Sequence, residues 1–173
     1  SLIRKIGEGN YDITNVYGYD EASGDVYYQA ASVNPHDRQI FVSHKNGKTE
    51  RLTDANGWNT AMFSGDYKYF LSNYNTPYIF TIRDNKGKVL STPVDNKELK
   101  EKIKSFGFHG RETFSFTTSE GIKLDGWMVK PDDFNLQKKY PVILFQYSGP
   151  GSQQVTDAWS AGSMGNGGAF DYY

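Results

Sequence analysis

The stretch "RLTDANGWNTAMF" (Arg51–Phe63) lies residue for residue over "RKIGEGNYDITNV" (Arg4–Val16), at an offset of 51 − 4 = 47 residues. Arg51 matches Arg4, Asn56 matches Gly9, Trp58 matches Tyr11 and Phe63 matches Val16. The same features then follow each copy. "GDVYYQA" and "RQIFVSH" follow the first, separated by "SVNPHD"; "YKYFLSN" and "YIFTIRD" follow the second, separated by "YNTP". These short aromatic and β-branched runs read as strands, and the Asn and Pro between them as turns. Each pair ends in a glycine hairpin, "KNGK" at 45–48 and "DNKGK" at 84–88. A period of about 40–50 residues with four short strands per repeat is the pattern of a β-propeller blade. The alternative is a β-sandwich whose halves are alike by coincidence. Two blades cannot close a ring, so the repeats are expected to be part of a larger one.

Composition agrees with sheets that keep one wet face. Of the 173 residues 37% are apolar, while 16% are aromatic, with 13 Tyr and 11 Phe. A doubly covered parallel sheet needs longer apolar runs than this supplies. The net charge of −1 gives no electrostatic reason to expect nucleic acid or a membrane surface as partner. The absence of cysteine excludes a disulfide framework and a thiolate zinc site. No run has the length of a membrane span, no signal peptide stands at the start, and no Asn-x-Ser/Thr sequon occurs.

At Asp95 the pattern changes. "DNKELKEKIKSF" is charged, with Leu99, Ile103 and Phe106 at helical spacing and Asp95 placed to cap. It predicts one short amphipathic helix connecting two domains and ending at Gly107. "ETFSFTT" and "IKLDGWMVKP" alternate around "SEG" and predict a hairpin, and a polar loop follows over 132–139. Then comes "KKYPVILFQYSGPGSQQV" (Lys138–Val155), in which an apolar strand, Tyr140 to Tyr147, breaks at once into a glycine–proline turn.

Strand ends are where α/β enzymes place polar atoms that touch substrate. Acyl transfer needs donors aimed at the oxygen that becomes negative, and in α/β-hydrolases one comes from the loop after the third strand. Counted from Glu112, "VILFQY" is that third strand. The Tyr147 hydroxyl could donate there, with Gly149 and Gly151 letting backbone pass close and Pro150 stiffening the turn. Tyr147 could equally do no more than end a strand and hydrogen-bond a neighbour.

Other candidate chemistry is thin. "AGSMG", with Ser163 at its centre, mimics a nucleophile elbow but lacks the apolar strand such an elbow follows. His36 and His44 sit beside turns and His109 just past the helix, so all three read as surface residues. No His pair has metal-ligand spacing, "DNKG" and "TDANG" lack the last glutamate of a calcium loop, and "GNGG" follows no strand. No cofactor and no metal are expected.

The residues together carry a family likeness. "KKYPVILFQYSGPGSQ" and the "GWMVKPDDF" before it resemble the start of the catalytic domain in the dipeptidyl peptidase IV group of prolyl-oligopeptidase-type serine peptidases. The blade repeats resemble the end of that family's N-terminal propeller, and "GSMGNGGAFDYY" is most similar to its bacterial members.

The resemblance implies a mainly β chain: the last blades of a β-propeller followed by the first strands of an α/β-hydrolase domain. Residues 1–94 would be the C-terminal blades, 95–110 the connector helix and linker, and 111–173 the beginning of the catalytic domain. It implies a serine exopeptidase that releases Xaa-Pro dipeptides from peptides with Pro or Ala at the second position. The full-length protein would be a homodimer in the periplasm or cell envelope. Tyr147 would be the side-chain half of the oxyanion hole. The family's serine, aspartate, histidine and paired glutamates have no counterparts in this stretch, so the chain alone is expected to be inactive. Within the superfamily the alternative is an oligopeptidase or acyl-aminoacyl peptidase. From another class it is a propeller interaction module with a degenerate hydrolase domain.

Overall fold

The computed structural model describes residues 5–7, 9–54, 56–74, 78–106, 110–131, 133–146 and 149–159. By contacts the chain falls into two compact units. Residues 1–96 with 156–159 make the first, and 97–155 with 160–173 the second.

In the first unit the strands run in chain order within two four-stranded antiparallel sheets. One holds β1 (Ile13–Asp20), β2 (Asp25–Ala30), β3 (Gln39–Ser43) and β4 (Thr49–Arg51); the other holds β5 (Asn59–Phe63), β6 (Tyr69–Tyr74), β7 (Ile79–Asp84) and β8 (Val89–Val94). These are two blades of a β-propeller, with the first strands starting directly behind the matched Tyr11 and Trp58.

Turn chemistry sets each hairpin. The Asp20 carboxylate accepts the Ala22 amide at 3.0 Å and the Ser23 hydroxyl at 2.7 Å between β1 and β2. Asn46 Oδ1 accepts the Lys48 amide at 2.9 Å, and Asp84 Oδ1 the amides of Lys86 and Lys88 at 3.0 and 2.9 Å. Side-chain oxygens thus replace backbone acceptors at the tips.

Strand alternation then divides the first blade into two faces. Tyr27, Ile40, Val42 and Leu52 pack with Phe70 of the second blade. Around them lie Tyr17, Phe63 and Tyr67, with Tyr27 stacked on Tyr67 at 5.2 Å and tilted against Phe63 at 4.6 Å. On the opposite face Tyr28, Ala30 and Phe41 are covered by Ile6 and Tyr11. Tyr28 and Phe41 oppose each other across the ladder and stack at 5.5 Å. Burial raises the Tyr28 phenol most, with Tyr11 adding to it.

The second unit contains α1 (Lys97–Ser105) and the hairpin β9 (Glu112–Thr117) with β10 (Lys123–Met128). The helix begins two residues after Asp95, preceded by Asn96 in a left-handed conformation with φ 51°, which Asn tolerates. Its stripe is only partly covered, since Leu99 and Ile103 are half-buried and Phe106 is 75% exposed. The predicted strand over 140–147 does not form across its described residues, 140–146. Val142 is 84% and Leu144 87% exposed. An unalternating apolar strand is stable when neighbours pair both edges and cover both faces, and among the described residues β9 and β10 pair only with each other.

Candidate functional site

Tyr147, the candidate oxyanion donor, lies outside the described residues, as do Ser163 and His109. The turn that follows Tyr147 is described. The Ser152 amide donates to the Gly149 carbonyl at 3.1 Å, and Gly151 takes φ 73° with open space where a Cβ would stand. The glycine at 151 therefore serves the turn's own conformation.

The histidines within reach are less exposed than the sequence predicts. His44 Nδ1 lies 3.0 Å from Asp25 Oδ2 and its Nε2 3.9 Å from Glu50. His36, in the β2–β3 connection, is also half-buried. Among the described residues no group of His, Asp and Glu is disposed to hold a metal ion.

A polar cluster at the seam of the blades was not foreseen. The seam is a parallel bridge, in which the Arg38 amide donates to the Gly57 carbonyl at 3.0 Å and the Asn59 amide to the Arg38 carbonyl at 2.9 Å. Asn59 is buried, and its Nδ2 donates to the same Arg38 carbonyl at 2.9 Å. From β2, Gln29 Nε2 donates to the Asn59 carbonyl at 2.6 Å, and its Oε1 accepts the Thr14 hydroxyl at 2.8 Å.

Arg38 is buried at the centre of this cluster. Its Nη1 donates to the carbonyls of Pro35 at 2.8 Å and Asp37 at 2.6 Å, and its guanidinium lies 4.4 Å over the Trp58 ring. Desolvation lowers the guanidinium's pKa, and Asp12 and Asp37 oppose that shift. Asn34 ties the turn down, its Nδ2 donating to Asp37 Oδ2 at 2.6 Å and its Oδ1 accepting the His36 amide at 3.1 Å. The sequence signal was a charged Asp-Arg pair directly ahead of an apolar strand. Read as the end of a turn and the start of a strand, it concealed a buried charge that needs this set of partners.

Residues 156–159 rest on this unit. The Asp157 amide donates to the His36 carbonyl at 2.9 Å, and Trp159 meets Tyr78 edge-on at 5.3 Å. Burial raises the Asp157 carboxyl's pKa most and nearby Asp37 adds to it, while His36 opposes.

Comparison with known proteins places this architecture. Residues 1–80 match the family model of the dipeptidyl peptidase IV N-terminal region. The crystal structure of Porphyromonas gingivalis dipeptidyl peptidase 4 superposes on 92% of the chain with a TM-score of 0.86 and 39% identity. Both likenesses are to the dipeptidyl peptidase IV group. Probable dipeptidyl peptidase 4 of Aspergillus flavus is 29% identical over 161 residues, and dipeptidyl peptidase 4 of Trichophyton equinum 29% over 162, each covering 89% of this chain. The chain spans only 21% of each fungal protein and 23% of the Porphyromonas one. Measured against those proteins it is a short stretch. Its likeness runs beyond the matched propeller region into the second unit.

Proposed function

We propose that this chain is the propeller-to-catalytic-domain stretch of a serine exopeptidase that releases Xaa-Pro dipeptides from peptide N-termini by acyl transfer and hydrolysis. Residues 1–94 are its C-terminal blades, 95–110 the connector and 111–173 the start of an α/β-hydrolase domain. The observation that carries the reading is the reach of the likeness. It covers 89% of the chain, so it includes sequence well past residue 80. Tyr147 supplies the side-chain donor of the oxyanion hole. Substrates carry Pro or Ala at the second position, and the full-length protein works as a homodimer. Alone the chain is inactive, because one oxyanion donor without nucleophile and base cannot run acyl transfer.

The test is hydrolysis of a Gly-Pro chromogenic amide by the full-length protein and by its Tyr147→Phe variant. Removing the donor should lower kcat by roughly 10²–10³ with KM little changed. Equal rates would remove Tyr147 from the catalytic reading and leave the peptidase assignment standing. Failure of both proteins to cleave would favour the oligopeptidase or the non-catalytic module.

A further inference from the structure

Alternation along β7 puts Ile79, Thr81 and Arg83 on one face, and Tyr74 stands opposite Ile79 in the β6–β7 ladder. These four residues and Asp54, from the connection between β4 and β5, line a cavity of about 420 Å³ within the propeller unit. That is room enough for a small molecule. The Tyr74 ring is seated against Gly57, where an added Cβ would stand 2.4 Å from it. Ile79 and the Tyr74 ring thus make an apolar wall, and Arg83 supplies a cation.

Arg83 is held in place without any ligand. Its side chain is only 12% exposed. Nε donates to Thr81 Oγ1 at 3.2 Å, and Nη1 donates to the Leu52 and Gly87 carbonyls at 3.3 and 3.0 Å. That leaves Nη2, whose partner among the described residues is Asp54 Oδ2 at 3.5 Å. The Asp54 side chain is 82% exposed. So long and so wet an ion pair contributes little, and Asp54 can turn out to water at small cost.

We propose that this cavity is a binding site for a small carboxylate with an apolar body. The ligand's carboxylate replaces Asp54 on Arg83 Nη2, and its body lies on Ile79 and the Tyr74 ring. Three hydrogen bonds already fix the guanidinium, so binding does not have to order it. A charge-assisted hydrogen bond of ordinary length is stronger than the 3.5 Å contact it displaces. Arg83 also joins the second blade to the Leu52 carbonyl of the first, so the occupant sits where the blades are fastened together. The site does not depend on the peptidase reading.

The experiment titrates the full-length protein with phenylacetate and with phenylacetamide, its uncharged counterpart, by calorimetry at low ionic strength. Phenylacetate should bind saturably and about tenfold or more tighter than the amide, since it alone carries the charge that Arg83 recognises. Asp54→Asn should tighten phenylacetate roughly 2- to 5-fold, because the exposed ion pair no longer competes. Arg83→Gln should abolish binding, and Ile79→Ala should weaken it. No saturable binding overturns the site, as does equal binding of acid and amide. Unchanged affinity in Asp54→Asn overturns it by putting phenylacetate elsewhere on the protein. Weaker binding in Asp54→Asn also overturns it, because Asp54 would then support the ligand and not compete with it. If Arg83→Gln does not fold, Asp54→Asn decides, since its side chain is exposed and its loss should leave the fold intact.

Discussion

The two blades share one plan and differ in what covers them. In the first, β2 and β3 are buried on both faces, one against the second blade and the other under Ile6 and Tyr11. In the second, Phe70, Ser72 and Thr81 are buried toward the seam, whereas Ile82 is 39% and Met62 71% exposed, and every residue of β8 is exposed. Strand propensity is similar in both sheets, so burial is set by neighbours and not by the strands themselves. A blade is finished only when something packs on each side.

The sharpest way to break that contrast is truncation on the two faces. Tyr27 is 1% exposed and packs on Phe63 and Tyr67. Tyr27→Ala should cost about 3–5 kcal/mol, as large aromatic truncations in cores do. Ile82→Ala on the open face should cost about 1 kcal/mol or less, because the side chain gives up less burial. Thermal denaturation of the full-length protein carrying each substitution would measure the gap. Equal losses would mean that the second blade's outer face is covered in the folded protein.

Equivalent hairpin glycines offer a second comparison. Gly47 and Gly87 hold the β3–β4 and β7–β8 turns with φ of 92° and 83°. A Cβ at 47 would meet nothing within 4 Å, but at 87 it would stand 2.5 Å from the Leu52 carbonyl oxygen of the first blade. Gly47→Ala should cost about 1–2 kcal/mol for its backbone conformation alone. Gly87→Ala should cost more, because it also pushes the blades apart next to Arg83, whose Nη1 donates to the carbonyls of Leu52 and Gly87 at 3.3 and 3.0 Å. Equal shifts in melting temperature would show that this seam gives way easily.

At the seam itself, Asn59→Ala should cost about 1–3 kcal/mol by leaving buried groups without partners. Because Gln29 reaches the Asn59 main chain and not its side chain, the Gln29 bond should survive. Melting curves would give the cost, and a double-mutant cycle with Gln29→Ala should come out close to additive.

Most of the blade architecture was legible because it is local. Aromatic and β-branched runs marked β2, β3, β6 and β7, the glycines marked the hairpins, and the 47-residue repeat marked the pairing plan. Less local features stayed hidden. "SVNPHD" was legible as a turn and Arg38 as the start of the next strand, but the cover over the Arg38 guanidinium depends on Trp58 arriving from the next blade. The run over 140–146 has the composition of a covered strand, yet composition does not supply the neighbours that would pair it. Residues 156–159 carry no periodicity, so nothing in their sequence announced a return to the propeller. The oxyanion candidate rested on likeness to a family, and Tyr147 itself falls outside the described residues.

The smallest effect concerns the first blade's hold on that return. Asp157 is surrounded by Asp37 and His36 of the β2–β3 connection, and its carboxyl pKa is raised by burial first and by Asp37 second. A raised carboxyl favours the protonated form in the docked state. Its contribution is therefore full below the ordinary carboxylate range and fades as pH rises through the raised value, so at neutral pH the charge works against docking. Protection over 154–159, taken after correction for the intrinsic pH dependence of amide exchange, should rise on mild acidification, by a few-fold at most because the carboxyl is only half-buried. Asp157→Asn should flatten that dependence and protect the segment slightly better at neutral pH, since the amide hydrogen bond to the His36 carbonyl is made by the backbone and remains. Tyr78→Ala acts on the second blade's anchor and should leave the pH slope intact while raising exchange at every pH. If the slope instead disappeared with Tyr78, the two anchors would be one cooperative contact, and the independence assigned here to the two blades would fail.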